Sequence, residues 1–192
     1  ESIRNGHVMC GDFATAISHI DAIHSGRLLS CREIFLRYSK HVEAAVSQMR
    51  ADRNVDIGPE WLYAIIKLET GGIVRPRFEQ HVLSRLHRNH PTLDFAELRF
   101  RSMSQGPGQV LGENYLSVGA RSAMEMYMSP LSDQILFVAR FLAHRHHPVA
   151  RRRPTAKDFR TIARFYNGRG YARHHYHERL DRWHREFRKI IS

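Results

Sequence analysis

Apolar positions recur along this chain at steps of three and four, the spacing of residues that share one helical face. Phe13, Ile17, Ile20 and Ile23 predict a helix over about 12–24. Ile34, Phe35, Tyr38, Val42, Ala45 and Met49 predict a second over about 30–50. Gly58-Pro59 opens a third, with proline in the first turn where its missing N–H costs nothing, and Gly71-Gly72 closes it. Further helices are expected over about 78–88, ending at Asn89-His90-Pro91, and over 120–128 and 131–146 with Pro130 between them. After a basic linker from Pro148 to Pro154 come a helix over 155–166 and a last one, in which Tyr176, Leu180, Trp183, Phe187 and Ile190 step by four, three, four and three. Residues 101–112, rich in Gly, Ser and Gln, read as a loop entering a short helix. Little alternates as a strand should, and there is no internal repeat. The expectation is an all-α protein, with one helical domain over 53–192 and an N-terminal helical extension over 1–52.

One polar residue breaks the pattern of the third helix. Leu62, Ile65, Ile66 and Glu69 fall on the same side, so Glu69 points where core side chains point, just before the helix must stop. Apolar neighbours disfavour the charged form of a carboxyl, and the negative end of the helix dipole acts in the same direction. A glutamic acid raised toward neutrality suits the protonation of a leaving-group oxygen. The plain alternative is a carboxylate that bends out into water at the helix end.

The 192 residues suffice for a substantial core without disulfide or metal. The formal net charge is +11, and its placement is uneven: residues 140–192 carry 15 Lys and Arg against 4 Asp and Glu, whereas residues 1–139 balance. Such a surface concentrates polyanions, among them nucleic acid, teichoic acid, acidic lipid and peptidoglycan. A nucleic-acid binder using Arg169 to Lys189 with interleaved Tyr171, Tyr176 and Trp183 is one rival reading. Against it, Tyr176, Trp183 and Phe187 share one face and read as core, so no specific nucleic acid is expected. Cys10 and Cys31 suit either one disulfide in an oxidising compartment or two buried thiols. His144-x-His146-His147 and His174-His175-x-His177 are dense, but no His-Glu-x-x-His or zinc quartet appears, so neither a metal nor a cofactor is expected. No stretch is apolar enough to cross a bilayer. The sequence begins at Glu1 without a Met, so a missing targeting signal carries no information.

Four segments in order carry a family resemblance. They are a helix ending in Glu69-Thr-Gly-Gly, Arg75-Pro-Arg-Phe-Glu79-Gln-His81, Ser104-x-Gly-x-x-Gln109-Val-Leu-Gly112, and Tyr166-Asn-Gly-x-Gly-Tyr171. From about Gly58 to Phe187 the chain resembles the N-acetylmuramidases of phage endolysins and some secreted bacterial cell-wall enzymes. These lie within the lysozyme-like group, with goose-type lysozymes and lytic transglycosylases as more distant relatives. The resemblance implies a single lysozyme-like helical domain that cleaves the β-1,4 bond between N-acetylmuramic acid and N-acetylglucosamine. It puts Glu69 at the catalytic acid, and Glu79 and His81 in the same cleft. The small residues after Ser104 would let backbone approach the sugar, with Gln109 packing or orienting substrate. Tyr166 would help set the acid's environment, with Asn167 beside it. Two departures stand out: Pro107 replaces the usual large apolar residue, and Arg169, with Tyr171 beyond it, stands where the family has proline. Arg169 either contacts a muropeptide carboxylate or is merely tolerated.

Glu79 is the candidate second carboxylate, which an inverting hydrolase holds at roughly 6.5–9.5 Å from the acid and a retaining one at about 5–5.5 Å. Its alternative is a structural salt bridge to Arg75, Arg77 or His81. With no second carboxylate, the chemistry would be that of a lytic transglycosylase. A binding module that keeps the shape without the activity is a further alternative. The expected partner is bacterial peptidoglycan, joined by an immunity or inhibitor protein if the enzyme is a toxin. The expected location is outside the cell or in the periplasm, reached by phage lysis, export or toxin secretion.

Overall fold

A computed structural model describes residues 26–144, 148–151 and 153–192. Its helices are α1 (Cys31–Arg53), α2 (Pro59–Glu69), α3 (Gln80–Asn89), α4 (Phe95–Arg101), α5 (Tyr115–Val118), α6 (Ala123–Met128), α7 (Leu131–Ala143), α8 (Ala156–Asn167) and α9 (Tyr176–Ile191). Short 3-10 turns cover Gly112–Asn114, Pro148–Ala150 and Arg169–His174. The fold is all-α, as expected, with one small sheet.

Local chemistry explains where the helices begin. Ser30 and Glu33 form a reciprocal capping box on α1, the hydroxyl accepting from Glu33 N and the carboxylate from Ser30 N. Thr155 and Asp158 do the same for α8. Pro59 sits in the first turn of α2. At the other end of α2 the chain turns through Gly71 at φ 61° and Gly72 at φ 83°, a left-handed pair that glycine adopts without Cβ strain.

The core lies between α1, α2, α7, α8 and α9. The stripe on α1 is buried as its spacing predicts: Ile34, Tyr38, Val42, Ala45 and Met49 join the same core as α2 and α7. The boundary drawn at residue 52 therefore falls at the end of a helix whose buried face is continuous with the rest. Trp61 is fully buried with Phe159 at 5.0 Å and His184 at 4.6 Å between ring centres, and Tyr63 stacks on Phe187 at 5.1 Å. On α9 the buried set is Tyr176, Leu180, His184 and Phe187, so the face has turned slightly and leaves Trp183 and Ile190 half-buried. Burial pushes the His184 imidazole down to about 4, with the Arg188 charge adding to it, so it packs as a neutral ring.

Three elements differ from expectation. The segment 101–112 is not a plain loop: β2 (Met103–Gln105) pairs antiparallel with both β1 (Arg77–Phe78) and β3 (Val110–Leu111). Strands of two or three residues are too short to show alternation, which is why the sequence hides them. The helix expected over 78–88 starts only after Glu79, its N-cap, because Arg77 and Phe78 belong to the sheet. Helix α4 was not anticipated; its Leu98 packs with Val82 and Leu86 of α3 in a second, smaller core under the sheet. The helix expected over 12–24 and the end of the one expected over 131–146 lie outside the described residues, as does Cys10.

Tyr38 connects the core to the turn after α2, its hydroxyl donating to Gly72 O at 2.8 Å in a buried setting. Tyr38→Phe leaves that carbonyl without this donor and is expected to cost about 1–3 kcal/mol in denaturant unfolding.

Candidate active site

The sheet and the C-terminal ends of α2, α7 and α8 enclose a cleft of about 580 Å³. Glu69 lines it from the end of α2. Leu62, Ile65 and Ile66 are wholly buried and anchor the face on which Glu69 lies. The next residue locks the helix end in place: the Thr70 hydroxyl approaches both Ile66 O at 3.0 Å and Pro107 O at 2.9 Å. The end of α2 is thereby tied to the loop between β2 and β3.

Glu69 keeps some surface toward the cleft, while its carboxyl group is closely surrounded. Burial raises the carboxyl from its ordinary 4.5 to about 6. A hydrogen bond from Tyr176 opposes the rise, Tyr176 Oη donating to Glu69 Oε1 at 2.5 Å, and so do the charges of Arg77 and Arg179. The balance leaves a group that exchanges its proton near neutral pH. Tyr176 and Tyr166 are both pushed well above the ordinary tyrosine value by burial and by the neighbouring Glu69 charge, so both stay neutral.

The direct contact to Glu69 comes from Tyr176, while Tyr166 lies close enough for the Glu69 charge to raise its own pKa. Tyr166 donates to Gly108 O at 2.5 Å, not to Glu69, and braces the β2–β3 loop. Tyr176 was legible only as the first residue of an apolar stripe. Its one distinguishing signal is that a buried phenol needs a hydrogen-bond partner. Two glycines of this segment are also required by packing within the protein. A Cβ on Gly108 would lie 2.4 Å from Val138 Cγ2 and 2.8 Å from Tyr166 Oη. On Gly112 it would meet Phe100 O at 2.0 Å. The space these glycines leave is taken by the protein's own backbone and side chains.

Gln109 sits at φ 52°, a left-handed conformation rare outside glycine. Its amide holds it there, donating to Gly106 O and Arg75 O at 3.0 Å each. Glu79, at the N-cap of α3, accepts at Oε1 from Arg77 Nε at 2.6 Å and from the buried Ser104 hydroxyl at 3.2 Å. The structure thus brings Glu69, Glu79, Ser104 and Gln109 to one cleft, with His81, Tyr166 and Asn167 at its edges. It does not bring Arg169 and Tyr171 into the lining: Arg169 is exposed in the turn beyond Gly168, and Tyr171 packs edge-on against His177 at 5.3 Å. Sequence reasoning passed over Phe141, whose ring lies 4.7 Å from that of Phe165 and forms with it an aromatic wall of the cleft. Among the described residues no group of three or more His, Cys, Asp or Glu is placed to hold a metal ion; His146 and His147 lie outside them.

The raised Glu69 carboxyl has a signature in stability. The folded protein binds this proton more tightly than the unfolded chain, so its contribution is fully present below about pH 4.5 and is lost as pH rises past about 6. The loss amounts to about 2 kcal/mol. Glu69→Gln, which cannot ionise, is expected to exceed the wild type by up to about 2 kcal/mol at about pH 8 and to match it near pH 4. Thermal unfolding at the two pH values measures this, and an equal difference at both would show that the carboxyl is not desolvated.

The family model described as N-acetylmuramidase matches residues 92–188, half of the chain, a span that holds Gln109, Tyr166, Asn167 and Tyr176 but neither Glu69 nor Glu79. The crystal structure of Burkholderia AP3 phage endolysin is similar in fold, with a TM-score of 0.57 and 16% identity over 80% of this chain and 71% of that one. No curated protein matches the chain in sequence. With half its length in the family match and a lysozyme-like helical fold around the cleft, the chain belongs to the N-acetylmuramidase family, glycoside hydrolases that degrade peptidoglycan.

Proposed function

We propose that Glu69 is the general acid that cleaves the β-1,4 bond between N-acetylmuramic acid and N-acetylglucosamine in bacterial peptidoglycan. The observation that carries this reading is a carboxyl raised to about 6 by burial, facing a cleft and held by a neutral phenol. Near pH 6 such a group is protonated often enough to give its proton to the leaving oxygen, and acidic enough to give it readily. Tyr176 fixes one carboxyl oxygen, which leaves the other to face the glycan. Phe141 and Phe165 offer apolar rings on which sugar faces stack, and Asn167, exposed at the end of α8, offers an amide to the sugar substituents.

Glu79 is the second carboxylate of the cleft and supports the developing positive charge, or the attacking water, from the sheet side. His81, Ser104 and Gln109 position it and the glycan. A lytic transglycosylase is the second reading, favoured by one observation: Glu79 is already engaged by Arg77 and Ser104. In that reaction the muramic acid's own 6-hydroxyl closes on the anomeric carbon, and no second carboxylate is needed.

The protein would act at the cell wall, outside the cell or in the periplasm, as an endolysin or an antibacterial effector. In the second role an inhibitory immunity protein would accompany it. Arg169, exposed just beyond the rim with the other basic residues of the C-terminal quarter, would help hold the enzyme on an anionic wall, and Tyr171 supports that turn. No helix among the described residues is long and apolar enough to span a membrane.

Mass spectrometry of digested peptidoglycan tests the reaction. Reducing muramic acid ends are expected; the 1,6-anhydro form would establish the transglycosylase instead. Glu69→Gln is expected to lower the rate by about 10²–10⁴, and activity within a few-fold of wild type would remove Glu69 from the mechanism.

The active form carries the proton, so the rate should fall as pH rises through about 6. Tyr176→Phe removes a bond that favours the carboxylate, so this alkaline limb should move to higher pH while the peak rate drops. A pH–rate profile of both proteins reads the two effects.

A further inference from the structure

Glu69 lines a second cavity as well as the main cleft. This cavity, of about 260 Å³, lies between the turn after α2 and the start of α9, and Glu69 is the one residue it shares with the cleft. Its other polar lining is cationic: Lys67, Arg75 and Arg179, with the Thr70 hydroxyl. Glu69 is the only carboxylate in the lining. When Glu69 is protonated, the cavity holds three positive charges and no negative one.

Two of these cations lack the carboxylate partners that several other arginines possess among the described residues. Arg77, Arg85, Arg101, Arg121, Arg151 and Arg185 all make ion pairs. Neither the Arg75 nor the Arg179 guanidinium pairs with a carboxylate among the described residues, although Arg179 lies close enough to Glu69 to lower its pKa. Lys67 is partly engaged: its ammonium donates to Leu29 O and lies 5.2 Å from the centre of the Trp183 ring. Both arginines lie on backbone next to the cleft. Gln109, which lines the main cleft, donates to Arg75 O, and Arg179 follows Tyr176 by three residues on α9, on the same helical face.

We propose that this cavity is a subsite for a carboxylate of the glycan, on the side of the scissile bond opposite the main cleft. The inference rests on the muramidase reading. If Glu69 protonates the bridging oxygen, the strand must extend to both sides of it, and the second cavity is where one side runs. Muramic acid carries its acid group on the lactyl ether, either as the free carboxylate or as a stem peptide that bears carboxylates further out. A guanidinium pair matches a carboxylate in shape as well as charge, in a way a neutral chitin-like strand cannot exploit. The subsite would make the enzyme favour acidic glycan by binding, independently of the basic surface elsewhere.

Calorimetry with uncleavable products separates these effects. The probes are the muropeptide disaccharide-tetrapeptide, the same compound with its carboxyl groups amidated, the peptide-free disaccharide with a free lactyl carboxylate, and that disaccharide amidated. Each is titrated into wild type and into the Arg75→Gln/Arg179→Gln protein, in which both changed positions are exposed. In wild type at least one acid form is expected to bind about ten-fold more tightly than its amide, and the double variant should narrow the gap to about two-fold or less. Discrimination confined to the disaccharide-tetrapeptide assigns the site to stem carboxylates; discrimination by the peptide-free compound assigns it to the lactyl group. Equal affinity for acids and amides in wild type, no measurable binding of any probe, or undiminished discrimination in the variant overturns the proposal. A protein that discriminates in this way yet releases no muropeptides from peptidoglycan keeps the subsite and loses the glycosidase assignment.

Discussion

The structure turns on a carboxyl group largely shielded from water at the end of a buried helix. Six consecutive residues of α2, from Trp61 to Ile66, are buried, so this segment has almost no choice of position. Glu69 continues the same face one turn later and inherits that rigidity. Burial raises its pKa, the Tyr176 phenol moderates the rise, and the two together hold the group near 6. Either influence alone would leave the acid worse matched to neutral pH: more burial without the phenol would hold it protonated, and more solvation would leave it ionised.

Much of the remaining architecture restrains that group. Thr70 bonds the loop after β2, Tyr166 bonds the same loop from α8, and Gln109 bonds the segment that precedes β1. Three elements remote in sequence are thus tied together within a few residues of the acid. The glycines at 108 and 112 are needed because these ties bring backbone and side chains too close for a Cβ. Gln109 accepts a strained backbone in the same cause, with two hydrogen bonds as compensation.

Charge is organised at two levels. Elsewhere on the surface several arginines pair with carboxylates in exposed bridges, each of which contributes little to stability. Around Glu69 the pattern changes. Arg77 is committed to Glu79 on the cleft side, whereas Arg75 and Arg179 face the second cavity without carboxylate partners among the described residues. An acidic polymer approaching the cleft meets positive charge on both sides of the acid.

The sequence alone determined the helical class, most helix positions and the place of the acid, because these depend on spacing within a segment. The run from Trp61 to Glu69 needs no partner to reveal which side is buried, and Ser30, Pro59 and Gly71-Gly72 mark helix ends by local chemistry. Family motifs extended this to Glu79, Ser104, Gln109, Tyr166 and Asn167, which the fold does gather at one cleft. Only the tertiary structure decided what each of them touches. The sheet is three strands too short to show a period, and β1 joins it only by pairing with a segment some 25 residues away. Tyr176 and Tyr166 look alike as buried tyrosines, and which one bonds the acid depends on how α8 and α9 pack against α2, a relation between distant segments that no local pattern carries.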